Sequence, residues 1–217
     1  MRRLSEGAGR LRPLISRARH AVYAGSDVVL LSKVLDEGPA ESDLPPRVEL
    51  AERRHVEPMA ELIRRQFSWD VTKLLNERLA SGAGAVVGFV DEELIGYIWW
   101  AGPEAMPRVE PLLPIRYGIR LDEGDVYGFD LVVAPEHRGG GNATRFLADA
   151  ERELRRLGYR RMLSYALTAN RQARWLFAIS GHETVRRLQS QVLLSRFLRV
   201  DGSLLFADGD GFRRVWG

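Results

Sequence analysis

Val126-Tyr127-Gly128-Phe129-Asp130-Leu131-Val132-Val133-Ala134-Pro135-Glu136-His137-Arg138-Gly139-Gly140-Gly141-Asn142-Ala143-Thr144 is the stretch on which the reading of the fold turns. A β-rich run, Val126 to Val133, gives way to a glycine-rich turn over Arg138 to Asn142 and then to a helix. From Ala143 to Leu157 the apolar residues Phe146, Leu147, Ala150, Leu154 and Leu157 recur at helical spacing, and Gly158 follows as a C-cap glycine would. The N–H groups at a helix N-terminus converge on one spot, and the helix dipole makes that spot positive. Glycines without β-carbons let a bulky anion approach the backbone closely. Arg138 adds a fixed positive charge. The segment therefore reads as a phosphate or pyrophosphate site. No Gly-Lys-Ser/Thr follows, which excludes the mononucleotide P-loop, and the G-x-G-x-x-G dinucleotide fingerprint is absent. Taken alone, the glycine triplet fits a plain strand–turn–helix connection equally well.

Working outward, Met162 to Leu167 reads as a strand and Arg171 to Ser180 as a helix stopped by Gly181. Strand-like stretches follow at Thr184 to Leu188, Gln191 to Val200 and Leu204 to Ala207. On the N-terminal side, Ala85 to Val90 and Leu94 to Trp100 form a hairpin signal around Asp91-Glu92-Glu93. Helices are expected from Pro58 to about Phe67 and from Asp70 to Leu79, after a short strand at Val48 to Ala51. The four prolines between Gly102 and Pro114 predict a loop. Asp36 to Pro46 reads as an exposed connector, and Ala24-Gly25-Ser26-Asp27 as the turn of a small hairpin within Ala21 to Leu35. The order predicts the α/β class: a mixed β-sheet flanked by helices, with extra segments at both ends. Three regions are expected: a basic arm and linker over 1–47, a main α/β domain over 48–190, and a strand extension over 191–217 packed on the same domain. The ends could also build a homodimer.

Composition bounds the function. The chain has 217 residues, 45% hydrophobic and 28% charged, as an ordinary globular protein does. The absence of cysteine excludes disulfides and thiolate chemistry. No metal-ligand spacing joins His20, His55 and His182, so no metal site is expected. No apolar run approaches the roughly 18 residues of a membrane span, and the N-terminus lacks the apolar core of a signal peptide, so a cytoplasmic location is expected. The 32 basic residues, all but Lys33 and Lys73 arginine, are nearly balanced by 29 acidic ones. That balance argues against a nucleic-acid partner.

The pattern resembles the GNAT (GCN5-related N-acetyltransferase) family. The family signature Q/R-x-x-G-x-G/A stands here as Arg138 to Ala143, after Val132-Val133-Ala134-Pro135. A second element, N-x-x-A-x-x-L-Y/F, stands as Asn170-Arg171-Gln172-Ala173-Arg174-Trp175-Leu176-Phe177 ahead of Gly181. The resemblance covers roughly Val48 to Leu188 and implies an acyltransferase that moves an acetyl or other acyl group from acyl-CoA to an amine. It implies that Arg138, Gly139, Gly140, Gly141, Asn142, Ala143 and Thr144 hold the pyrophosphate. Leu131, Val132 and Val133 would hold the pantetheine arm, and Asn170, Ala173 and Phe177 the other wall. Where family members often carry a tyrosine as general acid this chain has Phe177, which cannot donate a proton.

An alkylammonium, with a pKa of about 10.4, must lose a proton before it attacks a thioester. In the family such a base is often carried on the strand over Val126 to Val133. Strict alternation sets 125, 127, 129, 131 and 133 on one face and 126, 128, 130 and 132 on the other. Asp125 and Tyr127 are candidates on the first face, and Asp130 on the second unless a bulge intervenes. Asp125 is also a natural turn residue, Tyr127 a natural pocket wall and Asp130 a buried carboxylate in need of a partner. Trp99, Trp100 and Tyr117 are candidate walls for a small-molecule or peptide amine acceptor. Two other functions share the fold: acyl transfer of longer chains from CoA or an acyl carrier protein, and a non-catalytic CoA-binding module.

Overall fold

The computed structural model describes residues 23–36, 46–68, 70–113, 119–193, 197–200, 203–208 and 211–216. The basic arm, most of the connector and Tyr117 lie outside them. Ten strands form one sheet: β1 (Tyr23–Val34), β2 (Arg47–Leu50), β3 (Gly84–Val90), β4 (Glu93–Ala101), β5 (Asp125–Val133), β6 (Arg161–Leu167), β7 (Glu183–Leu193), β8 (Phe197–Val200), β9 (Ser203–Asp208) and β10 (Gly211–Trp216). Their spatial order is β10-β9-β8-β7-β1-β6-β5-β4-β3-β2. Among the described residues only β5 and β6 pair in parallel, because α4 (Asn142–Arg156) crosses between them, and every other pair is antiparallel.

Helices cover both faces, which makes a three-layer α/β molecule. On one face lie α1 (Val56–Phe67), α2 (Thr72–Ala80) and the short α3 (Met106–Val109). They bury Met59, Leu62, Leu75 and Val109 against Val87, Trp99, Tyr127 and Phe129. On the other face lie α4 and α5 (Arg171–Ile179), with Phe146, Leu147, Leu154 and Phe177 against Val86, Ile98, Val126 and Met162. Neighbours in sequence take opposite faces, as the two-residue period of a strand requires. Burying a ring such as Phe146, which is fully covered, contributes about 2 kcal/mol.

Several expectations are revised. Ala24 to Asp27 makes no hairpin: Tyr23 to Val34 is one strand, paired on both edges, with β7 and β6. The region Gly102 to Pro114 is not all loop, since it holds α3 and a 3-10 turn over Glu110–Leu112. Pro107 and Pro111 stand within the first two positions of these helical turns, where a missing N–H breaks no bond. Thr184 to Leu188 and the start of Gln191 to Val200 merge into β7, and β10 is an additional strand. Among the described residues no helix is long and apolar enough to cross a membrane.

Candidate active site

β5 and β6 begin side by side and then part. Their ladder runs from Asp125–Arg161 to Gly128–Ser164 and stops, although β5 continues to Val133 and β6 to Leu167. The cause lies at Asp130, a non-glycine residue with φ 47°. One left-handed residue in a strand is a bulge, at a cost of about 1 kcal/mol for a non-glycine. The β4–β5 register shifts in the same place: Trp99 faces Phe129, but Tyr97 faces Val132. The bulge reverses the alternation that strict counting predicts. Tyr127 and Phe129 face the α1–α2 side, whereas Leu131 and Val133 face the α4 side.

The gap opens into a cleft of about 730 Å³. Leu131, Val132 and Val133 form one wall, and Asn170, Ala173, Trp175 and Leu176 of the α5 segment form the other. Gln66 and Phe67, at the end of α1, close one side. The floor is Arg138, Gly139, Gly140, Gly141, Ala143 and Thr144. Gly140 and Gly141 take φ of 64° and 83°, which glycine adopts freely. A β-carbon on Gly139 or Gly140 would meet nothing within 4 Å, so the space above this turn is open. Gly141 caps α4 and offers no side chain to the first-turn N–H groups. The Asn142 N–H donates to the Gly139 carbonyl at 3.3 Å, and the first-turn donors beyond it remain for a ligand.

Two arginines brace this floor. Arg138 Nε donates to the Val133 carbonyl at 3.0 Å, and its Nη2 donates to Gln66 Oε1 at 2.8 Å. Arg145 Nη2 donates to the Gly140 carbonyl at 2.8 Å and to Asn142 Oδ1 at 3.3 Å. Asn170 caps α5 by accepting from the Ala173 N–H at 3.0 Å. The site therefore joins an anion-binding end to an apolar channel, which fits an elongated ligand of that polarity.

The structure sorts the sequence candidates. Asn142 turns toward Arg145 and does not line the cleft. Phe177 is 4% exposed and packs edge-to-face on His182 at 4.8 Å, so it belongs to the core; Trp175 and Leu176 line the wall instead. Asp125 sits at the far end of β5, clasped by Arg161 through Nε–Oδ1 at 2.7 Å and Nη2–Oδ2 at 2.6 Å. Tyr127 is fully buried and stacked between Phe129 and Tyr165. Neither lines the cleft. Asp130 sits where the strands part but does not line the cleft either; its Oδ2 accepts from Arg78 Nη2 at 2.6 Å. Trp99 is in the core, and Trp100 packs on Tyr159 at 5.5 Å, so neither lines the cleft. Burial, helped by the Asp130 charge, pushes the nearby Tyr97 hydroxyl well above its ordinary range, so it stays protonated.

Gln66, Phe67 and Arg78 were not singled out from sequence. Arg78 carried a signal: it stands three residues after Leu75 on the core-facing side of an amphipathic helix. Nothing local marks Gln66 and Phe67, which reach the cleft only through the tertiary fold.

A mixed sheet splayed beside a glycine turn defines an α/β protein with an anion-binding cleft at a helix N-terminus. The chain belongs to the acetyltransferase (GNAT) family, whose sequence model matches residues 47–181. No curated protein matches it in sequence. A GNAT-family protein from Novosphingobium aromaticivorans superposes with a TM-score of 0.52 at 15% identity, over 76% of this chain and 63% of that one. A GCN5-related N-acetyltransferase from Sphaerobacter thermophilus gives 0.51 at 14%, over 88% and 57%. AAC(6')-Iy, solved with the bisubstrate analogue CoA-S-monomethyl-acetylneamine, gives 0.51 at 17%, over 66% and 95%. At these identities the likeness is one of fold, and the chain spans less than two thirds of the first two structures' length.

Proposed function

We propose that the protein transfers an acetyl or other acyl group from acyl-CoA to a primary amine by direct attack. The observation that carries this reading is the splay of β5 from β6 above an open, glycine-floored helix N-terminus. In this reading the N–H groups from Gly139 to Thr144 and the Arg138 charge hold the pyrophosphate. The free edge of Leu131 to Val133 bonds the pantetheine amides as a missing strand would, and Leu176 and Ala173 cover the arm.

The amine nitrogen attacks the thioester carbon, the C–S bond breaks, and CoA leaves as a thiolate; the second proton that the nitrogen sheds on becoming an amide passes through solvent to that thiolate. The ammonium proton is lost first and reaches the Asp130 carboxylate only through water, because Arg78 holds that carboxylate on the α2 side of the sheet. Phe177 supplies no acid, and a thiolate leaves without one.

The test is calorimetric titration with CoA, acetyl-CoA and octanoyl-CoA, on the wild type and on Gly139→Glu. A side chain at 139 meets no protein atom, so the variant should fold normally while its carboxylate occupies the phosphate position. Binding by the wild type and loss of at least tenfold in the variant is the expected result. Equal binding by both would move the ligand elsewhere. Binding of none of the three would sink the free-CoA reading and turn attention to an acylated carrier protein.

A further inference from the structure

Arg78 lies across the sheet from the glycine turn, on α2, and is 2% exposed. Its guanidinium carbon stands 5.4 Å from the Trp99 ring centroid and 5.2 Å from that of Phe129. It reaches past both rings to Asp130 Oδ2 at 2.6 Å and also donates to the Leu112 carbonyl at 3.4 Å. A guanidinium buried this deeply is kept for what it grips, since burial without a partner is costly.

What it grips is the residue at which β5 leaves β6. In an extended strand residue 130 would share the face of Val126 and Gly128, the α4 side, away from Arg78. The ion pair and the extended conformation thus exclude one another. Only with φ 47° at Asp130 does the carboxylate meet Arg78, and the same rotation sends Leu131 and Val133 to the α4 side, where the cleft is.

We propose that Arg78 is a positioning residue for the donor cleft, holding the Asp130 bulge, and with it the splay of β5 from β6, from the opposite face of the sheet. The inference rests on the cleft being the CoA site. It touches no donor atom; it fixes the backbone that does. Asp130 therefore couples the two faces of the sheet, and a change on the α2 side reaches the CoA side without a contact between them.

The experiment is CoA calorimetry, with the melting temperature recorded alongside, on the wild type, Arg78→Met, Arg78→Lys and the double variant Arg78→Met/Asp130→Gly. Arg78→Met should weaken CoA by about tenfold, since the left-handed residue loses its anchor. Arg78→Lys keeps the charge and should recover part of that. The double variant should recover most of it, because glycine takes φ 47° without an anchor, even though its melting temperature stays below wild type. A merely structural role would lower the melting temperature of all three variants without restoring CoA affinity in the double. A folded Arg78→Met that binds CoA as wild type does, or a double variant as weak as the single, overturns the inference. If Arg78→Met does not fold, Arg78→Lys and Arg78→Lys/Asp130→Gly carry the same comparison. Wild type that binds no CoA is a different failure: it removes the donor reading and this inference with it.

Discussion

Glu151 on α4 is 5% exposed and meets Lys33 Nζ at 2.5 Å, with His182 Nε2 3.6 Å from its other oxygen. Burial pushes its carboxyl up to about 7, against the pull of the Lys33 ammonium and with a small push from Asp36. Burial likewise pushes His182 down to about 4, with Lys33 acting in the same sense. Its imidazole is therefore neutral near pH 7 and makes no ion pair there. Between the ordinary carboxylate value and about 7 the folded protein keeps a proton on Glu151 that the unfolded chain has released. Stability from this group is full below that window and is lost as pH rises through it. His182 works the other way, losing its contribution as pH falls from its ordinary value toward about 4. Glu151→Gln should therefore gain on wild type in melting temperature between pH 5 and pH 8; a constant difference across that range would refute the assignment. The sequence marks none of this cluster, because its three members come from distant segments and become neighbours only on folding.

At the scale of elements, β5 was legible in outline and misread in detail. Its extent and the glycine turn beyond it follow from β-formers, Pro135 and the glycine triplet, each acting locally. The face of each residue past Asp130 did not follow, because a bulge is invisible to period-two counting; its anchor, Arg78, lies far away in sequence. The start of β5 carries a second fastening. Burial would raise the Asp125 carboxyl, but Arg161 and the Asp122 N–H outweigh it and hold it below its ordinary range. The clasp joins the first pair of the parallel ladder. Its stability is present above the ordinary carboxylate value and is lost as pH falls below it. Asp125→Asn should cost about 2 kcal/mol near pH 7, with a penalty that shrinks in acid, read by urea unfolding at several pH values. CoA affinity should hold, since Asp125 is remote from the cleft; its loss would return Asp125 to the site.

Across the whole molecule, the sheet is continuous because of β1. It lies between β6 and β7, with Val28 facing Leu167 on one side and Leu188 on the other. Val28, Val29 and Leu31 are each under 5% exposed. Yet β1 falls outside the residues matched by the family's sequence model, and its Ala24-Gly25-Ser26-Asp27 reads as a turn until pairing with β7 overrides that local preference. Removing residues 1–36 should leave β6 and β7 without a shared neighbour. The expected product is insoluble or lacks a cooperative thermal transition; a truncated chain that melts as the full one does would show β1 to be dispensable. The placement of β1 also bears on synthesis. Translation delivers this strand more than a hundred residues before either of its partners, so until they follow its apolar residues have both edges open and nothing to pair with. Such long-range closure is slow and exposes the nascent chain to aggregation. The sheet can close on the ribosome only after β6 and β7 have been made, which leaves β1 in need of shelter, by a chaperone or by transient collapse, until β7 has emerged.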